Sequence, residues 1–240
     1  MQYIASVSFG KDSLAMLLLL LSREERLDEV IFYDTGMEFQ SIYDIRDKIV
    51  VLLKERNIKY TELKPKYSFE YIMFDKPVKH RDGTYSNGYS WCGGRCRWGT
   101  TEKNKTISKY LKENYGEDYK EYIGIAYDEQ NRIKNNEHKL YPLIDLNMTE
   151  KDCLEFCYSQ GYYWEEDGIR LYDVLDRVSC WCCANKNLKE LRNYYNYLPT
   201  YWNKLKELQE KTDRPFKNNK YTIFDLEKRF ESEVIGDKDE

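Results

Sequence analysis

The first two dozen residues constrain this chain more than any other stretch. Residues 3–7 form a short apolar run, Ser8-Phe9-Gly10-Lys11-Asp12-Ser13 is a tight polar turn, and residues 14–21 are apolar on every side. That order predicts a strand, a turn and a helix buried against a sheet. A turn of this kind suits phosphate. A glycine lets the backbone approach an anion, and the free N–H groups and dipole at a helix start face it. Lys11 adds a mobile positive charge, and Ser8 and Ser13 add hydroxyl donors. The spacing is not that of a Walker A loop, which places more residues between glycine and lysine.

The following segments extend the pattern. Residues 29–33 are apolar and break at Asp34, Thr35 and Gly36, which puts an acid and a glycine at the carboxyl end of a strand, where doubly wound sheets bind ligands. Ile42, Ile45, Ile49, Leu52 and Leu53 recur at helical spacing, and residues 59–63 read as a third strand. Alternating strands and helices with short connections predict an α/β fold with a doubly wound, mainly parallel sheet and right-handed crossovers. A helix is expected from about residue 101 to 115 and a strand over 119–126. A further helix, capped by Thr149, carries Cys153 and Cys157 on one face as buried small hydrophobes. Residues 75–94 make a long glycine-containing loop, and long loops in compact domains are often functional.

Composition bounds the setting. The longest apolar run, residues 14–21, is far below the roughly 18–20 residues that a bilayer requires, and Lys11 and Asp12 interrupt any secretory signal. The expectation is a soluble cytoplasmic protein without a membrane partner. A formal net charge of −4 argues against coating nucleic acid over the whole surface. Seven cysteines in such a compartment read as metal ligands or reactive thiols. Cys92 and Cys96 form a C-x3-C pair, and Cys180 and Cys183 a C-x2-C pair. Two such pairs are the usual way to assemble four thiolates around a [4Fe–4S] cluster or a Zn²⁺ ion. Cys182 is the candidate free thiol. Residues 184–222 carry nine basic and four acidic side chains interleaved with Tyr194, Tyr195, Tyr197, Tyr201 and Trp202. This segment reads either as a nucleic-acid surface or as a helical pair packing its aromatics on the sheet domain.

Several of these stretches resemble one family. The hexapeptide at residues 8–13 is similar to the Ser-Gly-Gly-Lys-Asp-Ser loop of the PP-loop ATP pyrophosphatases (adenine nucleotide alpha hydrolases), with Phe9 in place of the first glycine. Phe9 is expected to narrow the loop, because it lacks glycine's freedom. Asp34-Thr35-Gly36-Met37-Glu38-Phe39 resembles the segment after the second strand in the phosphoadenosine phosphosulfate (PAPS) reductase branch. Gly124-Ile125-Ala126-Tyr127-Asp128-Glu129-Gln130-Asn131-Arg132 resembles a further motif of that branch. Here Ala126 stands where the family has arginine, which counts against a sulfated or 3′-phosphorylated nucleotide.

The resemblance implies a Rossmann-like nucleotide-binding domain over residues 1–183 and a helical basic and aromatic extension over 184–240. It implies an enzyme that binds ATP, or adenylyl sulfate or PAPS, with Mg²⁺. The nucleotide site would use Ser8, Phe9, Gly10, Lys11, Asp12, Ser13, Asp34, Thr35, Gly36, Glu38, Gly124, Asp128, Glu129 and Arg132. Lys11, Asp12, Ser13 and Cys182 are the expected catalytic residues, and Cys92, Cys96, Cys180 and Cys183 the metal ligands. The implied reaction is attack at the α-phosphorus with release of pyrophosphate, adenylating an acceptor for sulfur transfer. The alternatives are a sulfonucleotide reductase and a nucleotide-binding or nucleic-acid-binding adaptor with structural zinc. The reductase mechanism uses a cysteine near the C-terminus, and none follows Cys183. Expected partners are the adenine nucleotide, a nucleic-acid acceptor on residues 184–222, and a sulfur donor or thioredoxin-like protein.

Overall fold

The computed structural model describes residues 1–91, 96–133, 136–218 and 220–236. Its strands are β1 (Gln2–Val7), β2 (Glu29–Tyr33), β3 (Lys59–Leu63), β4 (Pro77–Lys79), β5 (Tyr85–Asn87), β6 (Tyr119–Ile123), β7 (Lys139–Leu140), β8 (Glu165–Glu166) and β9 (Ile169–Arg170). Its α-helices are α1 (Lys11–Ser22), α2 (Gln40–Glu55), α3 (Glu102–Tyr115), α4 (Pro142–Asp145), α5 (Glu150–Ser159), α6 (Leu171–Val174), α7 (Leu188–Tyr197), α8 (Pro199–Gln209) and α9 (Ile223–Gly236). Among the described residues no helix is long and apolar enough to cross a membrane. The chain divides into two compact units. One comprises residues 1–34, 40–64 and 103–164, the other residues 35–39, 65–102 and 165–240.

The first unit holds a five-stranded sheet of order β3-β2-β1-β6-β7 with every pairing parallel. Strand order reverses beside β1, so the crevice at the carboxyl ends of β1 and β6 is the topological switch point of a doubly wound sheet. All five residues of β2 are buried, as expected of a strand covered on both faces. Helix α1 buries nine of its twelve residues, which is why it reads as apolar all round. Ile4, Ile31 and Tyr33 pack with Ile107 and Leu111 of α3 on one face. At the amino end of β2, Glu29 is buried and accepts hydrogen bonds from Tyr110 at 2.7 Å and from Thr61 and Tyr115, with Lys59 3.1 Å away. Burial alone would raise this carboxyl. The bonds from Thr61, Tyr115 and Tyr110, with Lys59, outweigh it and hold the group below its ordinary value.

The second unit contains the β4–β5 hairpin, which forms within the segment expected as a loop, and the C-terminal helices. Asn187 and Glu190 form a reciprocal cap at the start of α7, each side chain accepting the other's backbone N–H. Tyr194, Tyr201 and Trp202 are buried, with Phe39 edge-on to Tyr201 at 4.6 Å. Their faces are spent in the core, whereas Tyr197 is exposed. Of the two readings of residues 184–222, the structure gives these three aromatics the packing role.

Candidate functional site

In the first unit the polar turn after β1 closes on the hydroxyl of Ser13. The Ser8 backbone N–H donates to Ser13 Oγ at 3.1 Å, the two hydroxyls lie 3.0 Å apart, and Ser13 Oγ donates to the Gly10 carbonyl at 3.1 Å. Gly10 is the N-cap of α1, and no side chain caps that end. Phe9 does not narrow the loop by refusing glycine's conformation. It adopts φ +58, in the left-handed region, with its side chain fully buried and edge-on to Phe32 at 5.0 Å. The buried indole of Trp164 donates to the Phe9 carbonyl at 2.8 Å. Tertiary packing thus imposes a torsion that a glycine would adopt unaided.

Gly124, at the end of β6, lies against the start of α1. A β-carbon there would meet Ser13 Cα at 2.7 Å and Ser13 N at 2.9 Å, so only glycine permits this approach. Beyond it, Ala126 is buried, and Asp128, Glu129 and Arg132 lie on a short 3-10 segment. Asp128 Oδ1 accepts the Glu150 N–H at 3.0 Å, and Arg132 donates to Glu129. Glu150 opens α5, whose start is fixed by Thr149 and Asp152 in a reciprocal cap.

These elements converge on Lys11. Its ammonium lies 2.9 Å from Glu150 Oε1 and 3.5 Å from Asp12 Oδ1, with its side chain buried. One carboxylate oxygen from each of Asp12, Glu129 and Glu150 lies within 4.8 Å of the other two. Asp12 Oδ1 is buried with no hydrogen-bond partner among the described residues. Burial pushes the Asp12 carboxyl up to about 6. Lys11 opposes that rise, while Glu150 and Glu129 add to it. Three hard oxygens around an under-bonded carboxylate fit a divalent cation such as Mg²⁺. Sequence reasoning did not select Glu150, because the contact joins residues 139 apart in the chain. Beneath the loop, Cys157 donates to the Lys11 carbonyl at 3.4 Å. Cys153 and Cys157 are both fully buried, and burial pushes the Cys153 thiol up to about 12. They are packing residues.

The motif at residues 34–39 is divided between the units. In the first, Asp34 accepts the Tyr43 hydroxyl at 2.8 Å and lies 3.6 Å from Lys64. In the second, Thr35 donates to Glu38 Oε1 at 2.7 Å and accepts the Met37 N–H at 3.2 Å, and Gly36 supplies the left-handed turn at φ +73. Trp181 donates its backbone N–H to the Met37 carbonyl at 2.9 Å, which sets Cys180 beside this turn. Cys180 Sγ lies 3.5 Å from Thr35 Oγ1 and 3.7 Å from Glu38 Oε1.

Both cysteine segments fall within the second unit. Cys96, Cys180, Cys182 and Cys183 all belong to it. Cys96 Sγ accepts the Gly99 N–H at 3.0 Å. Cys92 lies outside the described residues. Burial holds the thiols of Cys180 and Cys182 well above their ordinary values.

Lys186 is buried next to them, its ammonium donating to the Arg177 carbonyl at 3.3 Å and lying 5.3 Å from the Tyr194 ring centroid. Burial pulls this ammonium down, and Glu190 and the three neighbouring thiols oppose that pull. The C-x2-C thiols of Cys180 and Cys183 with the buried Lys186 close by in the chain are compatible with thiolate ligation of a metal, whose ligands must be deprotonated.

The family model described as the phosphoadenosine phosphosulfate reductase domain matches residues 2–161. Among curated proteins, the chain is similar to the uncharacterized protein MJ0066 of Methanocaldococcus jannaschii, at 26% identity over 223 residues that cover 87% of this chain and 42% of that protein. It is also similar to the uncharacterized protein MJ0973 of the same organism, at 27% identity over 206 residues, covering 83% and 45% respectively. The chain therefore spans less than half the length of these relatives. Among solved structures it is similar to the U34-tRNA thiolase NcsA from Methanococcus maripaludis with its [4Fe-4S] cluster. The identity there is 14% and the TM-score 0.45, over 98% of this chain and 72% of that one.

Proposed function

Because the chain belongs to the phosphoadenosine phosphosulfate reductase domain family, we propose that it is an enzyme that binds ATP on the turn at residues 8–13 and adenylates an acceptor for sulfur transfer. The observation that carries this reading is the setting of Lys11. A buried ammonium and an uncapped helix start provide for phosphate oxygens, and Asp12, Glu129 and Glu150 provide for the cation that accompanies them.

The chemistry follows from that charge arrangement. An acceptor nucleophile attacks the α-phosphorus, the bond from that phosphorus to the β-phosphate bridging oxygen breaks, and pyrophosphate leaves with the electron pair. The proton lost by the acceptor passes to solvent. Lys11 and the α1 amides offset charge growing on the leaving pyrophosphate, a contribution of about 10²- to 10³-fold in rate for one such donor. Asp12, Glu129 and Glu150 would hold Mg²⁺, which supplies charge neutralisation for the polyphosphate. In the second unit Cys92, Cys96, Cys180 and Cys183 would hold an iron–sulfur cluster or zinc. A cluster supplies sulfur ligation and redox capacity there, whereas zinc supplies structure.

The test is incubation with ATP and Mg²⁺ plus candidate acceptors and sulfide, which displaces AMP from the adenylated acceptor, with parallel reactions containing adenylyl sulfate or PAPS and a thiol reductant. Pyrophosphate and AMP from ATP, lost in Lys11→Ala, support the proposal. Sulfite released from a sulfonucleotide overturns it in favour of a reductase. Nucleotide binding without turnover in every reaction overturns it in favour of an adaptor.

A further inference from the structure

The β4–β5 hairpin of the second unit and the residues flanking it, which have no part in either centre, display three tyrosines outward. Tyr85 is 67% exposed, Tyr67 42% and Tyr89 37%. The pairing Lys79↔Tyr85 puts a cation and a ring side by side on one face of the hairpin, while Val78 and Ser86 take the other. The ammonium of Lys76 lies 5.8 Å from the Tyr67 ring centroid and 5.6 Å from that of Tyr89, and Lys66 lies 5.2 Å from that of Tyr67.

Charge around the hairpin is opposite to that of the whole chain. Residues 65–90, with Lys211 and Arg214 that touch them, carry six cations against three acids, whereas the chain has a formal net charge of −4. Of those acids, Glu70 is paired with Lys211 at 3.1 Å, and Asp82 accepts the N–H and hydroxyl of Thr84 within the hairpin turn.

We infer that this hairpin binds a single-stranded nucleic acid segment, with bases stacked on Tyr85 and Tyr89 and phosphates on Lys76, Lys79 and Arg81. Each nucleotide offers an apolar π-face a short distance from an anion, and this face of the protein repeats that alternation with the opposite charge. A duplex hides its base faces and fits poorly. The inference does not depend on the nucleotide site: Lys11→Ala leaves it untouched, and its failure leaves the ATP reading standing.

The experiment is fluorescence anisotropy of the full chain with labelled oligouridylate and oligothymidylate 12-mers and a duplex of equal length, over a salt series. Binding to the single strands should exceed that to the duplex. Tyr85→Ala should weaken it about tenfold, while Tyr85→Phe retains it. Lys79→Ala should reduce the slope of log affinity against log salt by about 0.7. These residues are exposed, so folding is checked simply by an unchanged thermal transition. Absence of single-strand binding, equal affinity for the duplex, or binding indifferent to both Tyr85→Ala and Lys79→Ala overturns the inference. Indifference of that kind, with a protein captured instead on the same tyrosines, would assign the face to a protein partner.

Discussion

Trp164 donates its indole N–H to the carbonyl of Phe9 at 2.8 Å, and both side chains are fully buried. The bond ties the end of the first unit's last segment to the one residue of the polar turn held at positive φ. Trp164→Phe keeps much of the bulk and leaves a buried carbonyl unsatisfied, at a cost of about 1–3 kcal/mol. Phe9→Gly relieves a left-handed torsion worth about 1–2 kcal/mol, yet removes a buried ring worth about 3–5 kcal/mol, so it too is destabilising on balance. Urea unfolding checks both. A gain in stability for Phe9→Gly would mean that packing of Phe9 does not hold the turn.

Gly124→Ala places a methyl 2.7 Å from Ser13 Cα. Backbone cannot yield as a flexible side chain does, so the expected cost is about 1–3 kcal/mol. The amides at the start of α1 move with it. Nucleotide affinity, measured by calorimetry with ATP and Mg²⁺, should fall by more than tenfold, and an unchanged affinity would place the phosphates elsewhere.

Asp12 sets a pH dependence. Burial pushes its folded value up to about 6, above the unfolded 3.8, with Lys11 opposing the rise. The folded chain therefore holds this proton more tightly. The group's stabilising contribution is fully present below the unfolded value and is lost as pH rises from about 4 through about 6. In a chelator, Asp12→Asn should be more stable than the parent at pH 7.5 by about 2 kcal/mol and nearly equal to it at pH 4. Paired denaturation curves at the two pH values measure the difference. The same variant should lose affinity for Mg²⁺, which separates the cost of the charge from its use.

The thiol group predicts metal content. Cys180→Ser and Cys183→Ser should each lower bound metal per chain in protein purified anaerobically, with loss of visible absorbance if the centre is iron–sulfur. Lys186→Met keeps the buried stem and removes the charge beside the three thiols. Faster loss of metal to a chelator is the expected result, since an ammonium lowers the cost of gathering thiolates. Full metal content in both serine variants would remove these cysteines from the ligand set.

Much of the first unit was legible because its signals are local. The apolar runs at residues 3–7 and 29–33 and the strand expected at 59–63 became β1, β2 and β3, with β1 starting one residue earlier. The turn between them and α1 announced itself through residue type alone. Glu150 and Trp164 gave no such signal: an acid at a helix start and a lone tryptophan are ordinary until the fold brings them to Lys11 and Phe9. The aromatics of residues 184–222 show the reverse. Their interleaving with lysines fitted either a nucleic-acid surface or a packed helical pair, and burial of Tyr194, Tyr201 and Trp202 depends on contacts that spacing does not reveal.

The order of residues by itself determined the alternation of strands and helices, the phosphate-suited turn and the pairing of cysteines into two short motifs, because each rests on hydrophobic period and residue chemistry within a few positions. Tertiary structure alone decided which acids surround Lys11, that Phe9 takes a glycine-like torsion, and that Cys180 lies beside Thr35. Those outcomes depend on contacts between residues far apart in the chain. Such contacts form when buried surface and satisfied polar groups outweigh the local preference of any single residue.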